Sequence, residues 1–190
     1  MMRELSYDRG DRCILFDWGD TLMRVFPEYD GPMYAWPRVE AVEGTMETLA
    51  ELRPDWTIAL ATNAADSEER EIRSALGRVD LDRLIDRVFC YRGVGHRKSA
   101  PEYFDRVLAD LGIEANHAVM VGDDFEGDVL SANRCGIRAI WYDKNGTDEK
   151  TGAMHRTIHA LSELSEALEL LLPNGTVVKL IPAGGSTEEG

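Results

Sequence analysis

Residues 13–22 read CILFDWGDTL, and this stretch decides how the rest of the chain is interpreted. Its first four residues are apolar, as in a strand that is buried on both faces of a parallel sheet. The apolar run ends directly on Asp17, and a second carboxylate, Asp20, follows three residues later. Ligands of open parallel sheets bind beside the carboxyl ends of the strands. Asp17 is therefore a candidate functional residue, and the position of Asp20 requires an explanation.

Short apolar segments alternate with helical patterns along the rest of the chain. After CILF, strands are predicted in WTIALAT, RVFCY, HAVMVGDD and IRAIWYD, with TIHAL as a short sixth candidate. The segments between them carry apolar residues at helical spacing, and Gly77, Gly112 and Gly136 mark helix ends. This alternation predicts an α/β fold, namely a Rossmann-like, doubly wound parallel sheet of about five strands with helices on both faces.

Composition limits the classes of protein to which the chain can belong. With 190 residues, 44% hydrophobic and 29% charged, it is predicted to form one domain over residues 1–173. We expect the tail, 174–190, to be partly disordered, and its segment TVVKLI is either an edge strand or a partner contact. The net charge of −14 argues against nucleic acid and anionic membranes as partners. Three sparse cysteines and the lack of an apolar leader or membrane span predict a cytoplasmic protein.

Polar side chains gather where the predicted strands end. These residues are Asp17, Thr62, Asn63, Asp123 and Asp124, with Lys98 and Asp128 near the starts of the helices that follow. Carboxylates that are massed at one edge of a sheet repel one another unless a cation holds them together. Oxygen ligands of this kind favour a hard divalent ion such as Mg²⁺. The sequence therefore predicts a Mg²⁺ site that includes Asp17 and Asp123.

Four segments, in their order along the chain, resemble the haloacid dehalogenase superfamily of aspartate-nucleophile hydrolases. FDWGDTL is similar to its first motif, LATNA to its second, KSAPEYF to its third and VGDDFEGDVLSANRCGI to its fourth. Each motif alone is a weak signal, but together they cover about residues 12 to 172 in the right order. The resemblance implies a Mg²⁺-dependent phosphatase that hydrolyses a phosphate ester or anhydride through an aspartyl-phosphate intermediate.

The same resemblance implies a role for each matching residue. Asp17 would be the nucleophile, while Thr62, Asn63 and Lys98 would contact the phosphate, with Lys98 also offsetting negative charge in the transition state. The implied metal ligands are Asp17, the carbonyl of Gly19, Asp123 and Asp128. Taken singly, most of these residues are more often helix caps or surface charges, so the interpretation depends on their combination.

The first motif departs from the family pattern at the position of the catalytic acid. The family has an acid/base aspartate two residues after the nucleophile, where this chain has Gly19, and Asp20 stands where glycine is usual. General acid–base catalysis is worth about 10²–10⁴-fold, so its loss should slow poor leaving groups most. Three explanations are open: Asp20 acts as the catalytic acid, the substrate needs little protonation, or the protein is a weak phosphate- or protein-binding module. Cleavage of a carbon–halogen bond is a further alternative, against which the full metal set argues.

An insert at residues 24–41, RVFPEYDGPMYAWPRVEA, separates the first motif from the first helix. It is too short for a helical cap domain, so the resemblance is to the capless or minimal-cap type. An open site suits a phosphoprotein, a bulky substrate, or a small molecule enclosed by a partner copy in a homo-oligomer. The aromatic insert is either a flap over the site or a packed surface loop.

Overall fold

The computed structural model describes residues 12–146 and 148–172, which contain six β-strands. The strands are β1 Cys13–Phe16, β2 Thr57–Thr62, β3 Arg87–Cys90, β4 Ala118–Gly122, β5 Arg138–Tyr142 and β6 His155–Ile158. All neighbouring strands are parallel, in the order β3-β2-β1-β4-β5-β6. The predicted Rossmann-like sheet is confirmed, and the short sixth candidate contributes to β6.

Strand β1 lies at the centre of the sheet and determines where the polar strand ends meet. The chain first builds β2 and β3 on one side of β1, and then β4, β5 and β6 on the other. Phe16 pairs with Leu60 of β2 and with Val121 of β4. The residues that follow β1, β2 and β4 therefore leave the sheet at one edge, beside the point where the strand order reverses.

Helices cover both faces of this sheet. The α-helices are α1 Thr45–Leu52, α2 Glu69–Gly77, α3 Tyr91–Val94, α4 Pro101–Leu111, α5 Ser131–Arg134 and α6 Leu164–Leu171. A π-helical segment, Phe125–Leu130, leads into α5. Short 3₁₀ turns occupy Met33–Ala35, Asp82–Leu84, Ala115–His117 and Leu161–Glu163.

Local sequence explains the start of α2 and both ends of α4. α2 begins with a reciprocal capping box in which Glu71 Oε2 accepts the backbone N–H of Glu68 at 2.8 Å. α4 begins with Pro101 in its first turn and ends at Gly112, whose φ of 68° suits a residue without a Cβ. The third predicted strand is one residue too long, because Tyr91 already starts α3. The helix predicted for EGDVLSANRCG begins as a π-helix, a form that often marks functional sites.

The hydrophobic core consists of two layers, one on each face of the sheet. Along β1 the side chains alternate, so that Ile14 and Phe16 join one cluster while Cys13 and Leu15 join the other. The first cluster packs against α1, α2 and α6, and the second packs mainly against α4 and α5. Burial on both faces explains why the strands are almost entirely apolar.

Residues 17–44 are all described, and the only helical element between β1 and α1 is the 3₁₀ turn Met33–Ala35. An isolated antiparallel bridge between Met23 and Ala41 closes the base of the insert. The limits predicted for the domain, 1–173, remain a prediction. The predicted tail, 174–190, with its segment TVVKLI, lies outside the described residues. Among the described helices, none has the length and apolar character that crossing a membrane requires.

Candidate active site

Lys98 lies between two carboxylates at the edge where β1 and β4 end. Its Nζ is 2.5 Å from Asp17 Oδ1 and 2.5 Å from Asp128 Oδ1, and it donates to the Ala61 carbonyl at 3.1 Å. The residue is only 2% exposed. Burial would lower the pKa of Lys98, but the charges of Asp17 and Asp128 outweigh burial and raise this pKa. The ammonium group therefore remains charged inside the protein.

The two predicted phosphate-binding residues after β2 lie beside Lys98. Asn63 Oδ1 accepts the backbone N–H of Lys98 at 2.8 Å, which fixes the loop before α4. Thr62 is buried at the end of β2, and its Oγ1 accepts the backbone N–H of Ala64 at 3.1 Å. A hydroxyl that accepts one hydrogen bond still carries a proton to donate. Thr62, Asn63 and Lys98 all line the same pocket as Asp17.

Three carboxylates converge at this edge. Oxygen atoms of Asp17, Asp123 and Asp128 all lie within 4.8 Å of one another. Burial, followed by the charge of Asp17, raises the pKa of Asp123, while the nearby Lys144 opposes this shift. Burial also raises the pKa of Asp128, although Lys98 stands beside it. These carboxylate oxygens are negatively charged, close together and partly shielded from water. Such a set of ligands fits a hard divalent cation such as Mg²⁺.

The chain after β4 is shaped to bring Asp128 back towards the sheet. Asp128 is 1% exposed, and its Oδ2 accepts the backbone N–H of Asp124 at 3.2 Å. Gly122, the last residue of β4, leaves the space that the Asp128 carboxylate fills. Asp124 caps the π-helical segment, since its Oδ1 accepts the N–H groups of Glu126 and Gly127 at 3.1 and 3.0 Å. Asp128 thus joins the carboxylate cluster, whereas Asp124 is engaged as a helix cap.

Asp20 points into a different set of contacts. Its φ is 58°, in the left-handed region that aspartate tolerates better than most residues. Its Oδ1 accepts the backbone N–H of Val25 at 3.0 Å, and its Oδ2 lies 2.7 Å from Lys144 Nζ. The same Nζ is 3.5 Å from Asp123 Oδ2. Lys144 therefore joins the loop after β1 to the carboxylate after β4.

Two residues of β5 and its following loop support Asp123 and were absent from the sequence-based prediction. Lys144 is the first, and Trp141 is the second, because its Nε1 donates to the Asp123 carbonyl at 2.9 Å. Phe125 packs edge-on against the Trp141 ring, with centroids 5.3 Å apart. β5 ends at the same sheet edge as β1 and β4, so its terminal residues could have been considered as candidates.

The insert forms one wall of an open pocket of about 360 Å³ above Asp17. Its contributions to this wall are Val25, Gly31, Met33 and Trp36. Phe26, Tyr29 and Trp36 also pack on one another, with ring centroids 5.6 to 6.4 Å apart. The insert is predicted from the sequence to be either a flap over the site or a packed surface loop. In the structure it is a packed loop that also borders the site.

Arg78, next to the end of α2, attaches this wall to the body of the protein. Its guanidinium donates to the carbonyls of Tyr34, Trp36 and Pro37 at 3.2, 2.8 and 3.1 Å. Trp36 Nε1 in turn donates to the Gly31 carbonyl at 2.9 Å, inside the insert. These bonds hold in position a short loop whose one helical element is the 3₁₀ turn Met33–Ala35.

Fold and site together define a Rossmann-like α/β protein with a lysine-bridged carboxylate cluster at the switch point of its sheet. The chain belongs to the haloacid dehalogenase-like hydrolases, whose family model matches residues 19–136. The family resemblance inferred from the four motifs is thereby confirmed.

Individual relatives agree with this assignment. The chain is 41% identical over 78 residues to the phospholysine phosphohistidine inorganic pyrophosphate phosphatase of Homo sapiens, covering 40% of this chain and 28% of that protein. It is 31% identical over 137 residues to the ribulose-1,5-bisphosphate 5-phosphatase of Halopiger xanaduensis, covering 68% and 56%. The chain thus spans between about a quarter and just over half of the length of these relatives.

A solved structure of similar size has the same fold. An uncharacterized protein from Listeria monocytogenes serotype 4b superimposes with a TM-score of 0.76 at 28% identity, covering 85% of this chain and 99% of that one. A HAD phosphatase from Thermococcus onnurineus superimposes with a TM-score of 0.59 at 29% identity, covering 68% and 59%. The second protein therefore contains a large part that this chain does not match.

Proposed function

We propose that the protein is a Mg²⁺-dependent phosphatase that hydrolyses a phosphate ester or anhydride through an aspartyl-phosphate intermediate at Asp17. The observation that carries this proposal is the position of Lys98, buried between Asp17 and Asp128 at the floor of an open pocket. A buried cation beside a pocket-lining carboxylate suits a nucleophile that must approach an anionic phosphoryl group.

Asp17 attacks phosphorus through a carboxylate oxygen, forming an O–P bond while the bond from phosphorus to the leaving group breaks. Lys98 holds Asp17 Oδ1 and so orients the carboxylate, and its charge offsets negative charge on the transferring group. Water then attacks the phosphorus atom, releasing inorganic phosphate and restoring the Asp17 carboxylate. Thr62 donates a hydrogen bond from its hydroxyl group to a phosphate oxygen. Asn63 holds the loop that carries Lys98, because it accepts the Lys98 backbone N–H.

Mg²⁺ would be held by Asp17, Asp123, the Gly19 carbonyl and Asp128, the last of these also paired with Lys98. When bound, the ion supplies positive charge that offsets the repulsion between the anionic nucleophile and the anionic substrate. Trp141 and Lys144 keep Asp123 in place from the side of β5. The complete carboxylate set argues against halide displacement, a reaction that does not need a metal.

Relatives support a phosphorylated small molecule as the substrate. Their names specify phosphate esters as well as phosphorus–nitrogen and pyrophosphate bonds. A pocket of about 360 Å³ suits a substrate with a small leaving group. Because the site is open, the alternatives are a phosphoprotein substrate, or a small substrate enclosed by a second copy of the chain in a homo-oligomer. The three cysteines, Cys13, Cys90 and Cys135, are free thiols, which supports a location in the reducing cytoplasm.

Hydrolysis of acetyl phosphate and p-nitrophenyl phosphate, with Mg²⁺ and with chelator, tests the proposal. We expect turnover by the wild type with Mg²⁺ only, and none by Asp17→Asn. Asp110→Asn is the matched control, because Asp110 pairs with Arg87 on the surface away from the site. A binding module would instead show no turnover by the wild type. It would also not prefer a metal fluoride mimic of the transition state over phosphate.

A further inference from the structure

Gly19 leaves one position of the pocket wall without a side chain. Gly19 and Val25 both line the pocket, and a Cβ on Gly19 would lie 2.9 Å from Val25 Cγ2. A side chain at position 19 would therefore project along the pocket wall beside Val25. The chain has only a hydrogen atom there, so this position offers no proton donor.

Asp20, the adjacent carboxylate, is already bound on both oxygens. Oδ1 accepts the Val25 N–H at 3.0 Å, and Oδ2 pairs with Lys144 Nζ at 2.7 Å. Both oxygens of this carboxylate are therefore engaged as acceptors within the protein. The left-handed backbone at Asp20 directs the side chain to these partners, and Asp20 is not among the residues that line the pocket.

The remaining carboxylates of the pocket lining are Asp17, Asp66, Asp124 and Asp128. Asp128 accepts from Lys98 on one oxygen and from the Asp124 N–H on the other. Asp124 Oδ1 caps the π-helical segment, and Asp17 is the proposed nucleophile. Asp66 is exposed, and its Oδ1 accepts from Ser67 Oγ at 3.2 Å.

From these contacts we infer that the site acts on phosphoryl groups whose leaving group departs without a proton from the enzyme. Acyl phosphates and phosphoanhydrides have this property, because the electron pair of the broken P–O bond stays on a carboxylate or phosphate oxygen that is stable as an anion. An alkyl phosphate would release an alkoxide, which requires a proton at the moment of cleavage. This inference rests on the proposed function and narrows its substrate class.

The experiment compares pairs of substrates that are similar in size and differ in leaving group. These pairs are acetyl phosphate with ethyl phosphate, and p-nitrophenyl phosphate with phenyl phosphate. We expect the wild type with Mg²⁺ to favour the first member of each pair strongly in kcat/KM. In Gly19→Asp, kcat/KM for ethyl phosphate should rise by about 10²-fold, the lower end of general acid catalysis, with a much smaller change for acetyl phosphate.

Gly19→Asn is the matched control, since its side chain has the same shape and does not transfer a proton. Val25 is 41% exposed, so its side chain has room to move, and Val25→Ala removes the close contact entirely. The comparison is therefore made in both backgrounds, Gly19→Asp against Gly19→Asn with Val25 present and with Val25→Ala. Folding of each variant is checked by circular dichroism.

The inference is supported if, in either background, the ratio of kcat/KM for acetyl phosphate to kcat/KM for ethyl phosphate is smaller in Gly19→Asp than in Gly19→Asn. Two results overturn it while leaving the phosphatase proposal intact. The first is a wild type that cleaves ethyl phosphate as fast as acetyl phosphate. The second is the same preference in Gly19→Asp as in Gly19→Asn in both backgrounds, with every variant folded, which would show that proton donation does not limit the reaction. If the wild type turns over no substrate of either pair, both the proposed function and the inference fail.

Discussion

Asp128 occupies the space in which a side chain on Gly122 would stand: a Cβ on Gly122 would lie 2.0 Å from Asp128 Oδ2. Position 122 ends β4, and Asp128 returns to it from the π-helical segment. The absence of a side chain at the strand end is therefore part of what brings the third carboxylate to the site. Gly122 contributes to the site because it has no side chain, and the Asp128 carboxylate takes that place.

Gly122→Ala should displace the Asp128 carboxylate. We expect a loss of about 1–3 kcal/mol in the free energy of unfolding, as for other overpacked interiors, together with weaker activation by Mg²⁺. Denaturant unfolding and a Mg²⁺ titration of turnover measure the two effects. Gly77→Ala is the control, because a Cβ on Gly77 meets nothing within 4 Å and its φ is not positive. Equal behaviour of the two variants would contradict this account.

Lys98→Met should make the stability of the protein depend on divalent cations. Without the ammonium group, Asp17 and Asp128 would repel each other in a buried site, and breaking such a pair typically costs about 3–5 kcal/mol. Mg²⁺ should recover part of this loss, so the rise in Tm on adding Mg²⁺ should be larger than in the wild type. Thermal unfolding with Mg²⁺ and with chelator measures the difference.

The control for this variant is Lys150→Met. Lys150 stacks over Phe125 and Trp141 and pairs with Asp148, so it lies outside the three-carboxylate cluster. Its Mg²⁺-dependent rise in Tm should match that of the wild type. If Lys98→Met showed the same rise as this control, the carboxylates would not need Lys98 as their counterion.

Trp141→Phe should weaken Mg²⁺ binding, because it removes the N–H group that holds the Asp123 carbonyl while retaining an aromatic ring. Residues that orient metal ligands typically affect metal affinity by about 10–100-fold, and we expect the Mg²⁺ concentration for half-maximal activity to rise by about tenfold. Trp36→Phe is the counterpart, since it also removes an indole bond of 2.9 Å to a backbone carbonyl, here within the insert. It should alter KM for p-nitrophenyl phosphate and leave the Mg²⁺ dependence unchanged.

Arg78→Met should loosen the insert. The guanidinium bonds to three carbonyls of the insert, and a hydrogen bond to a charged group contributes about 1.5–3 kcal/mol. Loss of even one such contribution corresponds to about tenfold faster amide hydrogen exchange in residues 24–41, and KM for aryl phosphates should rise. Arg73→Met serves for comparison, because Arg73 lies on α2, which ends next to Arg78, and pairs with Glu69 and Asp82. Faster exchange across the insert in both variants would mean that helix α2 as a whole, and not Arg78, holds the loop.

The sheet and most of the carboxylate cluster could be predicted because each signal is local. An apolar run that ends on Asp17 or Asp123 indicates both the strand and the edge at which its last side chain emerges. Asp128 lies in the first turn of the helical segment that follows β4, six residues after Gly122, so its approach to the same edge was also predictable. Lys98 is 81 residues from Asp17, and its place between β3 and α4 indicated that it lies near the same edge, while its role beside Asp17 was implied by the family resemblance.

The contacts of Asp20, Lys144 and Arg78 could not be predicted, for three physical reasons. The direction of the Asp20 side chain depends on a left-handed φ that no neighbouring residue requires. A lysine after a strand is usually a solvated surface residue, so Lys144 gave no signal of its two acidic neighbours. Arg78 binds backbone carbonyls, which every residue of the insert possesses, so no side-chain pattern in the sequence marks its partners.

The pairing of Asp20 with Lys144 also affects the order in which substitutions at positions 19 and 20 would be tolerated during evolution. A single substitution, Gly19→Asp, would add a proton donor while Asp20 kept its turn and its lysine. Replacing Asp20 by glycine first would leave Lys144 with Asp123 as its nearby acid and would free one end of the loop after β1. The two substitutions that convert Gly19–Asp20 into the usual family order are therefore unequal as first steps. The route that gains the acid before losing Asp20 requires the exposed Val25 side chain to move and keeps the Asp20–Lys144 pair until the second substitution.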